Sequence, residues 1–372
     1  MSGRLEQAIG EALADGEIGL QVAAFLDGDL IVDECAGTTG LNSTVPVTSS
    51  TLFPVFSVTK GVTVTALHVQ AERGLIDYEA RIAEYWPEYG VAGKSVTTVA
   101  DLLTHRSGLL QMPAGVTTES MCDWEWMIDH LANESPVYPP GTTTAYHSIN
   151  WGWQVGEIVR RVDGRRRSFA QFVTEEVLEP LGVGDVFLAL PASEISRVAT
   201  LTSEIAAIPP SRLGSLAAPP AAAPTPEIFG RPDVWMSEIP GANGLMSARG
   251  VARLYAMLAA GGELDGVRLL SRDRVEWCAR PRPNPHQPDV VSNTVRWIGN
   301  GGYWVGGSPH AEPIIGSSTR VLHHPGAGGS IAWADLDRRL SVAITHNRMF
   351  GVERQRMPLM AIAEAVRDLS AT

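Results

Sequence analysis

Phe53-Pro54-Val55-Phe56-Ser57-Val58-Thr59-Lys60 is the stretch on which the reading of this 372-residue chain turns. It closes an apolar run and opens a helical one. From Lys60 to Gly74 the positions Val64, Leu67, His68 and Ala71 recur at helical spacing, and Gly74 suits a C-cap. Residues three apart on a helix share a face, so the Lys60 amine reaches the Ser57 hydroxyl. A serine hydroxyl is a weak nucleophile until a neighbour takes its proton. Lysine, with an ordinary pKa of about 10.4, does this once burial or a nearby cation lowers it. Arginine stays protonated and cannot. That difference matters here, because only Lys60 and Lys94 of the 29 Lys+Arg are lysines. The pair alone also fits an N-cap serine followed by a solvated lysine, although such a lysine opposes the helix dipole.

Outward from this stretch, a short helix is expected near Leu5–Leu13. A hairpin follows, with Leu20–Leu26 and Leu30–Cys35 flanking the turn signal Asp27-Gly28-Asp29. Between Ile76 and Gly241 the chain reads as helices joined by long loops, clearest at Asp101–Leu103, Trp124–Leu131, Trp153–Val162 and Phe169–Leu178. Six prolines among alanines between Ile205 and Pro226 predict an extended surface loop or lid. Ser247–Ala260 reads as an amphipathic helix stopped by Gly261-Gly262. Strand-like runs then occupy Val295–Val305, Arg320–His323, Ser330–Asp335 and Leu340–Thr345, before a last helix at about Pro358–Leu369. Sheet elements thus lie at both ends of the chain with a helical insertion between them.

Several blocks together are specific. Phe53–Lys60 is followed by Glu72-Arg-Gly-Leu75, Leu102-Leu-Thr-His-Arg-Ser-Gly-Leu109 and Pro140-Gly-Thr142. Gly241-Ala-Asn-Gly-Leu-Met-Ser247, Gly261-Gly-Glu-Leu-Asp-Gly266 and the segment from His324-Pro-Gly-Ala-Gly-Gly-Ser330 to near Asn347 come next. In this order they resemble the serine β-lactamase and penicillin-binding-protein superfamily, and most of all class C β-lactamases and the related family VIII carboxylesterases. The resemblance implies an α+β fold, an antiparallel sheet flanked by helices with an inserted, mostly helical domain. Residues 1–75 and 241–372 would form the sheet domain carrying Ser57, Lys60 and His324. Residues 76–240 would form the helical one, carrying Tyr146 and the Pro/Ala-rich loop.

The resemblance also implies roles. Ser57 is the nucleophile and Lys60 the base. Tyr146, opening Tyr146-His147-Ser148 in place of the family's Tyr-x-Asn, shuttles the proton between nucleophile and leaving group; read alone, it also fits an amphipathic residue at a domain seam. Ser148 stands where an asparagine would contact a substrate amide, which puts amide recognition in doubt. His324-Pro325-Gly326 replaces the Lys-Thr-Gly that fixes a substrate carboxylate. A histidine is mostly neutral at pH 7, and the proline removes a strand donor. Both changes turn the expectation from an anionic β-lactam toward a neutral ester or thioester. Ala327 N–H, with Ser57 N–H, would form the oxyanion hole. Trp151, Trp153, Trp235 and Trp304 lie near these segments, and Trp151, Trp235 and Trp304, with Ser148, are candidate substrate contacts; Arg106 reads as structural.

Other chemistry is absent or weak. Gly93-Lys94-Ser95 ends like a phosphate loop, but Glu88 stands at its leading glycine. There is no GxGxxG, HExxH or GxSxG pattern. His323-His324 lacks accompanying carboxylates or cysteines, so no metal or other cofactor is expected. A formal charge of −12 and the absence of a long basic run argue against nucleic acid or an anionic membrane as partner. Residues 1–19 show no basic-then-apolar leader, and no run approaches the roughly 18 apolar residues of a membrane span. Three scattered cysteines, Cys35, Cys122 and Cys278, read as reduced thiols. The expectation is a cytoplasmic serine carboxylesterase acting on a small-molecule ester through an acyl-enzyme, its oligomeric state unspecified. The rival readings are an acyltransferase with the same intermediate, a β-lactamase or D-amino-acid peptidase, a cytoplasmic amide or oligomer hydrolase, and a non-catalytic binding protein.

Overall fold

The computed structural model describes residues 3–204, 210–306 and 312–370. Six antiparallel strands make the main sheet: β1 (Gly19–Leu26), β2 (Asp29–Gly37), β3 (Trp304–Val305), β4 (Val321–Pro325), β5 (Ile331–Asp335) and β6 (Leu340–His346), in the spatial order β3-β4-β5-β6-β1-β2. The first and last parts of the chain meet where Leu20 pairs with His346 and Leu26 with Leu340. The β1–β2 turn forms because Asp27 and Gly28 both take positive φ, 52° and 94°, matching the twist of a hairpin.

β1 is buried almost end to end because helices cover both faces of the sheet. Leu20, Val22 and Ala24 face α1 (Gly3–Ala14) and the C-terminal helix, meeting Leu5, Ile9, Ile362 and Val366. Ala23 and Phe25 face the other core, with Val251, Ala252 and Leu254 of the helix Ala248–Ala259. Strand alternation thus serves two cores, each fully buried Leu, Ile or Val contributing roughly 1.5–3 kcal/mol.

The helix that follows Ser57, α2 (Thr59–Glu72), is buried from Thr59 to Ala71. Its threonines satisfy themselves: Thr63 donates to Pro240 O at 2.7 Å and Thr65 to Gly61 O at 2.7 Å. Helices from the middle of the chain pack against it, notably α3 (Trp151–Val162). Among the described residues no helix is long and apolar enough to cross a membrane.

The expected elements are present with three differences. The proline-rich stretch is not uniformly extended. Ile205–Pro209 lies outside the described residues, but Arg212–Ala217 is helical under a Ser211 cap, and Pro226–Phe229 forms a turn of helix with proline in its first position. Val295–Val305 is not one strand: Thr294–Val295 and Trp304–Val305 are separate, because Gly299, Gly301 and Gly302 break the run between them. The last helix begins at Val352, six residues before Pro358, which it carries in its interior.

Candidate active site

Ser57 stands just before α2, after a bend that Phe56 makes with φ +48°, a strained value for a bulky side chain. It does not cap the helix, since the N-cap position falls on Val58. Its Oγ lies 3.2 Å from Lys60 Nζ and 3.1 Å from the Tyr146 hydroxyl. Lys60 is fully buried, and its amine also donates to Ser148 O and Gly241 O, each at 2.7 Å. Burial, aided by the nearby Arg296 charge, holds its pKa well below the ordinary lysine range. A neutral amine has two N–H donors and one lone pair. Protonated, Lys60 donates to Ser57 Oγ as well as to the two carbonyls; once deprotonated, its two donors stay with the carbonyls and its lone pair faces the Ser57 hydroxyl.

Two close backbone approaches hold these carbonyls. Gly152, in the first turn of α3, and Gly241 lie so near each other that a β-carbon on Gly152 would stand 2.0 Å from Gly241 N. A β-carbon on Gly241 would stand 2.2 Å from Ile149 O. Only glycine fits either position, so residues 148–152 and 240–241 are locked around Lys60.

Tyr146 is fixed by its backbone and by its ring. Its N–H donates to buried Asp289 at 2.5 Å, and its ring lies 4.8 Å from that of His105. His105 takes positive φ (57°), accepts from His147 N at 3.1 Å and stacks on Trp151. The Leu102–Leu109 block is therefore the support behind the tyrosine. Burial pushes the Tyr146 hydroxyl up to about 12, although the Ser57 hydrogen bond and Arg296 pull the other way. Tyr146 thus stays protonated and donates to Ser57.

Ser57, Tyr146, Ser148, Trp304, Gly326 and Ala327 line one cavity of about 220 Å³. β4 brings the last two there: a β-carbon on Gly326 would meet Val55 O at 2.3 Å, so the strand end lies against the segment preceding Ser57. Among the described residues no acceptor takes the Ala327 N–H, which leaves it free for a ligand oxygen. His324 is fully buried, and its Nδ1 pairs with Pro325 O at 2.8 Å. Burial above all holds its pKa well below the ordinary histidine range, so it replaces neither the charge nor the reach of a lysine. His323, its neighbour on the strand, faces the opposite side, and the described residues contain no cluster that could hold a metal.

Trp151 and Trp235 do not reach the cavity. Trp151 is fully buried with its Nε1 donating to Leu102 O at 2.9 Å, and Trp235 packs on Leu52, Leu190 and Leu245. Trp153 is likewise fully buried core. Asn150 is no stand-in for the missing motif asparagine, because its amide is committed to Leu109 O and Gln111 O. Arg106 donates to Gly141 O and to Gln287 at 2.6 Å, a purely structural set. Lys94, in the failed phosphate loop, is buried on Ala132 O and Glu134 O.

Sequence reasoning missed Arg296, whose guanidinium carbon lies 4.9 Å from the Tyr146 ring and 4.8 Å from the Trp304 ring. It belongs to no recognisable motif, and its place depends on the broken 295–305 segment folding back over the cavity. Asp289 and His105 were missed as well, since both act on Tyr146 from far away in sequence.

The beta-lactamase family profile matches residues 5–367. Esterase/beta-lactamase LipL of Mycobacterium tuberculosis is 33% identical over 343 residues, covering 88% of this chain and 76% of that protein. The crystal structure of a family VIII carboxylesterase superposes with a TM-score of 0.88 at 33% identity, over 97% of this chain and 96% of the other. A penicillin-binding-protein homologue from Caulobacter crescentus superposes at 0.86 with 31% identity, over 97% and 96%. The nucleophile segment, the antiparallel sheet and these matches agree: the chain belongs to the beta-lactamase family.

Proposed function

We propose that this protein is a serine ester hydrolase that works through an acyl-enzyme on Ser57. The observation that carries the reading is that the Tyr146 hydroxyl and the amine of a buried, carbonyl-held Lys60 both lie within hydrogen-bond distance of Ser57 Oγ. In the proposed reaction, Ser57 Oγ attacks the ester carbonyl and its proton passes to Lys60 Nζ. The developing oxyanion takes the Ala327 and Ser57 N–H groups. As the C–O bond breaks, Tyr146 protonates the leaving alcohol and is reprotonated from Lys60. Water, activated by the same groups in reverse, releases the acid. If an alcohol or amine enters in place of water, the same intermediate makes an ester or amide.

The small cavity supports a small-molecule ester as substrate, and the neutral His324 and the Ser148 position favour an ester over a β-lactam. The family VIII carboxylesterase supports the same choice, and the esterase/beta-lactamase supports an ester substrate. We further propose the two-domain division at residues 75/76 and 240/241, and a cytoplasmic location, which three free thiols support.

The test is a panel of short-chain nitrophenyl esters, a chromogenic cephalosporin and D-alanyl amides on wild type and Ser57→Ala. Ester turnover lost in the variant is the expected result. Ester turnover that survives it would sink the mechanism, and a cephalosporin preference would move the reading to a β-lactamase.

A further inference from the structure

The cavity has lost the cation of the family's third motif, yet it is not without positive charge. Among the described residues that line it, Arg296 is the one charged side chain. Its guanidinium is held between the Tyr146 and Trp304 rings, and its Nε donates to Ser292 Oγ at 3.1 Å. Stacking and this bond fix the plane and one edge. The two Nη groups have no acceptor among the described residues.

Its nearest carboxylate touches only its inner edge. Asp289 is 3.8 Å from Nε, and its oxygens already accept from Tyr146 N, Val291 N, Ser292 N and Ser292 Oγ at 2.5–3.1 Å. Arg167, by contrast, is close-paired: it reaches Asp163, Glu175 and Glu176 at 2.7–2.9 Å. Arg296 keeps a side chain 23% exposed, its charge only loosely balanced and its outer donors unused. A planar fork already immobilised loses little entropy on pairing with a carboxylate, whose geometry it matches.

We propose that Arg296 is an anion subsite that receives a carboxylate carried by the substrate, so that the preferred esters are those of dicarboxylic acids or of carboxylate-bearing alcohols. This rests on the ester-hydrolase reading and replaces the neutral ester expected from His324. The cation is supplied by the 294–305 segment instead of by the strand motif.

The test compares matched pairs: nitrophenyl hemiglutarate against nitrophenyl butyrate for the acyl side, and 4-acetoxybenzoate against phenyl acetate for the alcohol side. The quantity read is the ratio of kcat/KM within a pair, in which effects on the shared acylation groups cancel. Hydrogen bonds to a charged group predict that Arg296→Gln lowers the anionic-to-neutral ratio by about tenfold or more, with Arg296→Lys between the two. The pair that responds says which side carries the carboxylate. A ratio unchanged in both pairs would overturn the proposal.

A second measurement serves if Arg296→Gln does not fold, and it does not need turnover. Titration of the Ser57→Ala protein with benzoate and with benzamide should show benzoate binding that weakens with salt, and little benzamide binding. Equal binding of the two overturns the subsite, while survival of ester turnover in Ser57→Ala overturns only the reaction.

Discussion

Gly152→Ala tests the reasoning that links the fold to the proton acceptor. The added β-carbon would stand 2.0 Å from Gly241 N, 2.4 Å from Pro240 C and 2.8 Å from Gly241 Cα. All three are backbone atoms, so no side chain can swing aside. Ordinary contact begins at 3.4 Å, which requires the two segments to part by about 1.4 Å. Gly241 O accepts from Lys60 at 2.7 Å, and a displacement of that size carries it past hydrogen-bond reach. Overpacking costs about 1–3 kcal/mol of stability, and the orphaned buried carbonyl adds about as much. A misplacement near 1 Å at the proton acceptor costs kcat/KM about a hundredfold. Gly156→Ala is the control on the same helix. Its β-carbon would meet the Trp124 ring at 2.7 Å and Phe169 at 3.3 Å, away from Lys60. Thermal unfolding and ester kinetics on both variants should show lost stability in each and lost activity only in Gly152→Ala. A Gly152→Ala enzyme with wild-type kcat/KM, or equal activity loss in both, would refute the coupling.

The remaining expectations concern protons. Tyr146→Phe removes the donor to Ser57 and should slow acylation about 10²–10⁴-fold with little change in substrate affinity, measured by stopped-flow; equal acylation rates would remove Tyr146 from the mechanism. Lys60→Arg places a permanently charged group where a proton must be accepted, so no acyl-enzyme should be detected by mass spectrometry after incubation with a nitrophenyl ester. Because burial and Arg296 both depress Lys60, kcat/KM should hold well below the ordinary lysine range and fall only as pH drops through the folded value; Arg296→Gln removes one cause and should move that acid limb to higher pH. By linkage the sign for stability is the same. The unfolded chain binds the Lys60 proton more readily, so stability contributed by this group decreases as pH falls below about 10.4, and the loss should disappear in Lys60→Met. Lys94→Met should cost about 1–3 kcal/mol by denaturant titration and leave the pH profile where it was.

The sheet and the nucleophile segment were legible because their signals are local. Two apolar runs and the turn signal between them define the hairpin of β1 and β2, and Ser57 reaches Lys60 within one helical turn. The same locality explains the failures. The spacing of Val64, Leu67 and Ala71 marks α2 as a helix, but it is buried all round, and its position at the centre could not be read from periodicity. Trp151 and Trp235 sit beside motif residues in sequence, but neighbours on a helix point a hundred degrees apart, so adjacency says little about a shared cavity. Arg296, Asp289 and His105 act on Tyr146 across separations of 41 residues or more, and no spacing rule encodes that. The glycine locks at 152 and 241 look like ordinary helix and loop glycines until the backbones are seen in contact.

The two lysines show what burial does and does not explain. Both are fully buried, and both hold backbone carbonyls: Ser148 O and Gly241 O for Lys60, Ala132 O and Glu134 O for Lys94. Each also lies about 5 Å from a tyrosine ring, 5.1 Å in one case and 5.2 Å in the other. Desolvation lowers both pKa values, that of Lys94 to about 8, where the Glu134 charge pushes back. A depressed lysine is therefore not in itself a base in this protein. The difference is the third partner. Lys60 faces a hydroxyl that can donate to its lone pair and a second cation that opposes its protonation, whereas the recorded partners of Lys94 are carbonyls and its charged neighbour is an acid. In a chain whose other basic side chains of the Lys/Arg class are all arginines, each lysine is a desolvated amine held by carbonyls, one clamping a loop and one, in the proposed mechanism, taking a proton. The geometry around Ser57 separates the two uses.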